Sequence, residues 1–172
     1  TAPPRTPKRK IVWQAVYRSG QRARAVADRH YNRQSIGAHE FVPPGRCLVL
    51  YTETRRRRGK AFWVTSFPFA EYVKHEWAGA RICSAFRNEG AGRSSDLILD
   101  AVRATRSYMG EPPAHGMVTF VDTRKTKTKD HPGRCFQLAG FRPCGHTKGG
   151  LFALQLLPEE MPEALVAGGL LL

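Results

Sequence analysis

The chain has 172 residues, of which 41% are hydrophobic and 10% aromatic, a composition that excludes a disordered tail and suits one domain with a real core. Twenty-eight Lys and Arg residues against fourteen Asp and Glu residues give a formal net charge of +14 and a pI near 10.3. This excess exceeds what solubility needs, so it predicts a polyanionic partner, of which nucleic acid is the first candidate.

The cysteines and the hydropathy exclude two further classes of protein. Four cysteines, at positions 47, 83, 135 and 144, show neither a CxxC pair nor zinc-finger spacing. We expect reduced thiols, with Cys47 and Cys83 acting as small hydrophobes in strand-like runs. No run approaches the roughly 18 apolar residues of a membrane span, and no secretory signal pattern is visible. We therefore expect a cytoplasmic protein with no membrane partner; a homodimer stays open.

In chain order, a basic Pro-rich arm comes first, at residues 1–10. The apolar run at 11–17 predicts a first strand. Residues 19–34 carry apolar side chains at helical spacing, which places His30 and Tyr31 on the inward face of a helix.

A β-hairpin is predicted next. Residues 47–52 and 61–66 are apolar and rich in β-branched and aromatic side chains, which is typical of strands. The loop between them carries a concentrated positive charge and is a candidate DNA contact, because it contains four consecutive arginines: Arg55, Arg56, Arg57 and Arg58.

The middle of the chain predicts a strand at 80–86, a glycine-rich turn and a helix. Ser94 or Ser95 is the expected N-cap of that helix. Its buried face is predicted to hold Leu97, Ile98, Ala101, Val102, Thr105 and Tyr108.

The last third predicts a strand at 116–122, a short helix at 134–141 and a strand at 150–157. The tail at 158–172 is acidic and then apolar. A second basic loop follows the 116–122 strand, with four further candidate DNA contacts: Arg124, Lys125, Lys127 and Lys129. Strands before and after each helix predict a mixed α/β domain over residues 11–157.

The glycine-rich turn has the composition of an anion site. Gly90 and Gly92 allow close approach of the backbone, and the amides at the start of the next helix point toward an anion. No GK[ST] follows, which excludes a P-loop, and the third glycine of a dinucleotide-binding fingerprint is missing.

The spacing R-x-x-G-x-G resembles the pyrophosphate-binding motif of the GNAT acyltransferase superfamily. Downstream, Phe136 followed by Gly140 and Phe141 resembles a later element of that superfamily. The resemblance, over about residues 80–157, implies a GNAT-like, mostly antiparallel sheet flanked by helices. It also implies acetyl-CoA or a related acyl donor, held by Arg87, Asn88, Glu89, Gly90, Ala91, Gly92, Arg93 and Ser94.

A narrower resemblance joins "DRHYNRQ" to the Asp of "TFVDTRK". Both are similar to the phage Mom family, GNAT-like proteins that convert the N6 amine of adenine in DNA to a carbamoylmethyl derivative and protect phage DNA from restriction. The resemblance implies a phage-type enzyme in the host cytoplasm, with His30, Tyr31 and Asp122 as catalytic residues. It also implies bound iron, with His30 as a candidate ligand.

The residues themselves leave alternatives open for this trio. Asp122 closes a strand beside the donor site, where a carboxylate can accept an amine proton or hold an adenine N6 hydrogen. His30 suits a base or a metal ligand but also a hydrogen-bonded core residue, and Tyr31 suits packing. One His and one Asp are few ligands for a metal.

The target base and the activity also have alternatives. A base in a duplex must be flipped out before reaction, and Tyr72 and Trp77 are candidates to stack on it. A thymine-derived base is an alternative target, because no residue pattern here reads a base edge. The rival activities are a coenzyme A-dependent N-acetyltransferase for a small-molecule or protein amine, and a DNA-binding module without turnover.

Overall fold

A computed structural model describes residues 13–16, 25–26, 46–54, 58–68, 75–125 and 131–164. Within the described residues, two helices have defined bounds: α1 (Ser94–Met109), which follows a strand, and α2 (Arg134–Leu138), which precedes one. A 3-10 turn spans Pro158–Glu160. The seven strands are β1 (Gln14–Val16), β2 (Arg46–Glu53), β3 (Lys60–Phe67), β4 (Arg81–Glu89), β5 (Met117–Val121), β6 (Arg142–His146) and β7 (Phe152–Leu156).

The seven strands form one sheet in the order β1-β2-β3-β4-β5-β7-β6. Every neighbouring pair is antiparallel except β4 and β5, which run parallel. That parallel pairing covers three residues and ends where Cys83 meets Thr119, although both strands continue beyond it. The described chain is therefore an α/β domain with a mostly antiparallel sheet whose two central strands separate at their carboxyl ends.

The main core lies between the sheet and α1. The helix buries its apolar stripe, including Leu97, Ile98 and Val102, against side chains of six strands and of α2. The indole nitrogen of Trp13 donates to the Leu97 carbonyl over 3.2 Å, which ties the region before β1 to the helix. Burial of this stripe supplies most of the helix's stability, because amphipathic packing outweighs intrinsic propensity in a helix of this length.

The opposite face of the sheet is also covered. Phe62 and Val64 point away from the helical side, and Val26 packs on them. Farther along, Trp77 packs on Ile82 and Val118. Because both faces are buried, β3 reads as a continuous apolar run in sequence rather than as an alternating one.

Two contacts from β4 fix the ends of α1. The buried guanidinium of Arg81, at the start of β4, donates to the carbonyls of Met109 and Glu111, each over 3.0 Å. At the other end, Asn88 holds the approach to the helix, as described below. The helix is thus connected at both ends to the strand that precedes it.

Most predicted elements are confirmed, but α1 differs from expectation at both ends. Its N-cap is Arg93 with no capping side chain, so neither Ser94 nor Ser95 caps it; both serine residues are inside the helix. Tyr108, predicted on the buried face, is 52% exposed.

Strand β6 was not predicted at all. Its sequence R-P-C-G-H contains a proline and a glycine, which normally count against a strand. The strand lies at the edge of the sheet, and its register with β7 shifts between Pro143 and Gly145. An edge with a bulge is where both residues are tolerated, so the sequence rule fails here for a structural reason.

All four cysteines are free thiols, as predicted, with Cys83 buried and Cys47 half-buried. None of the described helices is long and apolar enough to cross a membrane. The start of the tail lies along α1, where Arg103 and Arg106 donate to the Glu163 and Pro162 carbonyls.

Candidate functional site

The glycine-rich turn joins β4 to α1 and is shaped by Asn88. The Asn88 side-chain oxygen accepts from the Ala91 amide over 2.9 Å, while its nitrogen donates to the Gly92 carbonyl at 2.7 Å and to the Ser94 hydroxyl at 3.0 Å. Gly90 has a φ of 80°, a left-handed conformation that glycine adopts without strain. One asparagine thus closes the turn around the start of the helix.

The turn presents positive charge and unpaired amides. The first intrahelical bond of α1 runs from the Leu97 amide to the Arg93 carbonyl, so the amides of the preceding helical residues have no partner within the helix. Arg93 adds an exposed guanidinium at the same point. Arg87 is already paired with Glu89 over 2.8 Å, which reduces its contribution. The start of α1 therefore suits an anion.

A cavity of about 430 Å³ opens where β4 and β5 separate, directly beside this turn. Its wall contains β4 residues from both faces of the sheet: Phe86 belongs to the helical side and Ala85 to the other. The cavity thus lies in the gap between the strands. Beyond Cys83 the β5-facing edge of β4 has no strand partner in the described structure, which leaves backbone groups for an extended ligand.

Several residues around this cavity were not recognised in the sequence. Arg134 and His131 are exposed side chains of its lining, contributed by α2 and the residues before it. Cys83 and Cys135 also line it, and burial raises the pKa of both thiols above the usual range. Both thiols are therefore protonated and unreactive at neutral pH, and they serve as part of the cavity wall. No sequence motif flags them, because α2 approaches the cavity only through tertiary packing.

Asp122 follows β5 at the end where the two central strands separate. It is 6% exposed, and its carboxylate accepts from the Arg124 amide at 3.0 Å and from the Arg124 guanidinium at 3.1 Å. Hydrogen bonding from Arg124 lowers the pKa of the Asp122 carboxyl below its ordinary value, so it is ionised at neutral pH. Such a carboxylate accepts hydrogen bonds well but is a weak base.

The described ends of the two predicted basic loops lie at one end of the sheet. Ala61, just after the arginine loop, pairs with Asn88 near the end of β4, and β5 runs parallel to β4 toward Arg124 and Lys125. Arg58 precedes a glycine that packs directly on Gly90. The remaining predicted contacts lie outside the described residues: Arg55, Arg56, Arg57, Lys127 and Lys129.

His30 and Tyr31 also lie outside the described residues, so their relation to Asp122 stays a prediction. Within the described part of the chain, no group of three His, Cys, Asp or Glu side chains is placed to hold a metal ion. The described residues therefore do not by themselves fit an iron site.

The aromatic prediction requires a correction. Trp77, expected to be free to stack on a base, is only 8% exposed, because Ile82, Val118 and Gly145 pack around it. Its ring lies 5.9 Å from that of Phe120, which lines the cavity. Tyr72 lies outside the described residues.

Comparison with known proteins does not identify a family. No family model, no curated protein and no solved structure matches the chain. The arguments for its function therefore come from its own residues and their arrangement.

Proposed function

We propose that the chain is a GNAT-like transferase that takes a group from an acyl-coenzyme A-type donor and attaches it to the N6 amine of adenine in DNA. The observation that carries the proposal is the cavity between the separated ends of β4 and β5, placed directly beside the R-x-x-G-x-G turn. A cavity in contact with a candidate phosphate site suits a donor that has a pyrophosphate at one end and a thioester at the other.

The donor would be held mainly by backbone groups. Its pyrophosphate meets the amides at the start of α1, with Arg93 and Arg134 supplying charge from two sides of the cavity. Its extended arm lies along the open edge of β4. From β4 to β7 the order is strand, turn, helix, strand, helix and two strands, which agrees with the order that the GNAT resemblance implies except for the additional strand β6.

Asp122 follows the cavity residue Val121 but is not itself part of the lining, and it is the described carboxylate that we assign to the acceptor amine. When the donor is bound it supplies an activated carbon; the amine nitrogen forms a bond to that carbon, the bond from carbon to sulfur breaks, and the nitrogen loses a proton. Because Asp122 is ionised and held by Arg124, it orients the amine by accepting an N–H and stabilises the positive charge that develops on nitrogen. The proton passes to another base or to the departing thiolate.

Binding of DNA is supported by the charge and its location. The net charge of +14 and the two basic loops at one end of the sheet suit a phosphate backbone laid across the mouth of the cavity. Each phosphate contact would lower log K by roughly 0.9 per tenfold rise in salt. No step is routed through iron, because the described residues do not form a site for it.

Mass spectrometry of nucleosides from cells that express the protein tests this proposal. Wild type is compared with Asp122→Ala and with Asp100→Ala, a matched removal of a carboxylate on the surface of α1. We expect a heavier deoxyadenosine in wild type and Asp100→Ala and none in Asp122→Ala. The mass of the product identifies the transferred group.

Unchanged nucleosides from cells that contain abundant folded protein would refute the adenine proposal. Acetyl transfer to amines without DNA and with little salt sensitivity would instead favour the N-acetyltransferase. Tight DNA binding with no change in DNA or donor would favour the binding module.

A further inference from the structure

The turn at residues 147–151, the β6–β7 turn, lies at the end of the sheet where the cavity opens. Val121, the last residue of β5, pairs with Phe152 of β7, and Phe152 in turn pairs with His146 of β6. These three residues therefore form one row across the sheet. The β6–β7 turn extends beyond this row, as do Arg124 and Lys125 after β5. The sequence did not indicate this position, because β6 was not predicted.

Hydrogen bonds within the β6–β7 turn fix its shape. The Thr147 amide donates to the Leu151 carbonyl and the Gly150 amide to the Thr147 carbonyl, each over 2.9 Å. The Leu151 amide donates to the Thr147 hydroxyl over 3.0 Å. Lys148 is exposed at the tip, and neither its amide nor that of Gly149 has a partner among the described residues. The turn thus presents a cation and two successive backbone donors to solvent.

The gap between β4 and β5 lies between the β6–β7 turn and the arginine loop. In sheet order, the arginine loop joins β2 to β3 on one side of the gap, and the β6–β7 turn comes after β5 on the other side. Arg58 is held near the end of β4, because the next residue, Gly59, packs on Gly90. Four strand spacings separate the two loops, which is about 19 Å along the edge of the sheet. A polyanion that contacts both loops crosses the mouth of the cavity.

The charges at this end of the sheet leave several cations available. The acidic side chains described there have basic neighbours, in an ion pair, in strand register or within one helical turn. The pairs are Glu53 with Lys60, Glu89 with Arg87, Asp96 with Arg93, and Asp122 with Arg124. Arg58, Lys125 and Lys148 make no salt bridge with a described residue. At the opposite end, β7 leads into an acidic turn that contains Glu159 and Glu160. Positive charge is therefore concentrated around the cavity mouth.

We infer that the β6–β7 turn is a DNA contact, in which the Lys148 ammonium and the amides of Lys148 and Gly149 bind a backbone phosphate. The inference rests on the proposed function and adds a contact on the side of the cavity opposite the arginine loop. Arg58 and Lys148 hold one strand of a duplex at two points, about six nucleotides apart at 3.4 Å per nucleotide, with the base to be modified between them. A phosphate contact positions DNA without selecting its sequence.

The test compares Lys148→Ala with Arg46→Ala, which removes one cation at the other end of the sheet. Arg46 is exposed at the start of β2, and its register partner Phe67 ends β3. Both variants and wild type are titrated with an adenine-containing duplex between about 0.05 M and 0.5 M salt. Denaturant unfolding of each variant confirms that the protein used is folded.

Loss of one phosphate contact should reduce the salt slope of log K by about 0.9. The affinity advantage of wild type over Lys148→Ala should therefore fall about eightfold when the salt concentration rises tenfold. Arg46→Ala should keep the wild-type slope. A wild-type slope in Lys148→Ala, or an equal reduction in both variants, overturns the inference.

Nucleoside mass spectrometry on the same variants separates this result from failure of the proposed function. If wild type modifies deoxyadenosine and the salt slope is unchanged in Lys148→Ala, the role of the turn falls and the proposed function stands. If the slope changes as expected but no nucleoside is modified, the turn stands as a DNA contact and the transferase falls. Wild type that neither binds nor modifies DNA overturns both.

Discussion

Gly59 and Gly90 are in direct backbone contact: a Cβ at position 59 would stand 2.0 Å from the Gly90 carbonyl oxygen. The contact packs the base of the arginine loop on the turn proposed to hold the donor. Gly59→Ala should therefore displace the turn, reduce donor affinity and destabilise the fold by about 1–3 kcal/mol, as overpacking does. Calorimetric titration with acetyl-CoA and chemical denaturation measure the two effects.

Gly149→Ala is the matched control for that substitution. The nearest atom to its Cβ would be the Thr147 Oγ1 at 3.9 Å, an ordinary contact. We expect wild-type donor affinity and stability for Gly149→Ala. Wild-type donor affinity in Gly59→Ala as well would place the donor away from the turn.

The Asp122–Arg124 pair predicts a pH effect on stability. The folded pKa of Asp122 is below its ordinary value of 3.8, so the pair stabilises the protein above that pH and the stabilisation disappears as pH falls through the folded pKa. Arg124→Ala should raise the pKa of Asp122 and lower the stability at neutral pH but not in strong acid. Carboxyl NMR titration and unfolding at a series of pH values measure these changes.

The same titration bears on catalysis. Asp122 stays ionised between pH 5 and 8, because its pKa lies below its ordinary value. The transfer rate should therefore show no change from its titration in this range, in which a general base would titrate. Lys125→Ala is the control, because it removes a neighbouring charge that makes no side-chain hydrogen bond to the Asp122 carboxylate and keeps the backbone bond from residue 125 to the Asp122 carbonyl. An Asp122 pKa that is unchanged in Arg124→Ala would contradict the assigned hydrogen bonds.

Cys135 provides a test of where the donor lies. It lines the cavity and is half-buried, whereas Cys144, also half-buried, is outside that lining. Alkylation should be run at alkaline pH, because burial raises the pKa of both thiols. Acetyl-CoA at ten times its Kd should slow alkylation of Cys135 about tenfold and leave Cys144 unchanged. Equal rates with and without donor would argue against this cavity.

A buried polar chain links the sheet to α1. The Trp63 indole nitrogen donates to the Thr65 hydroxyl over 2.7 Å, and that hydroxyl lies 2.8 Å from the Thr105 hydroxyl. Thr65→Val leaves the buried indole N–H without an acceptor and should cost about 1–3 kcal/mol of stability by denaturant unfolding. Thr105→Val retains the Trp63–Thr65 bond and should cost less; the reverse order would contradict this chain of bonds.

The sequence predicted those parts of the fold in which local pattern and burial agree. β2, β3, β4, β5, β7 and α1 each carry a long apolar run or a clear helical period. β6 was not predicted because Pro143 and Gly145 are acceptable only in an edge strand with a bulge. Whether a strand lies at the edge depends on the whole sheet and not on the local sequence. Tyr108 shows the same limit, since the helical period placed it on the buried face although its side chain is exposed.

The candidate site was predictable where its residues are contiguous. The turn from Arg87 to Ser94 has its own sequence signature, and its glycine conformation and Asn88 contacts follow from that segment alone. Arg134 and His131 come from segments far from the turn in sequence, and packing alone brings them to the cavity. Trp77 was misjudged because Gly145, in the strand that was not predicted, covers its ring.

Arg81 and Asn88 give the cavity one rigid wall. Arg81 of β4 binds the carboxyl end of α1, and Asn88 of β4 binds the amino end of the same helix. The strand and the helix are therefore joined at both ends. The opposite wall, from Thr119 to Val121 and along α2, is joined to β4 where the gap begins: the Thr119 hydroxyl donates to the Cys83 carbonyl over 3.2 Å, and the pairing of β4 with β5 ends at the same two residues. A ligand that enters the gap would thus meet, on the β4 side, a strand and a helix that are joined at both ends.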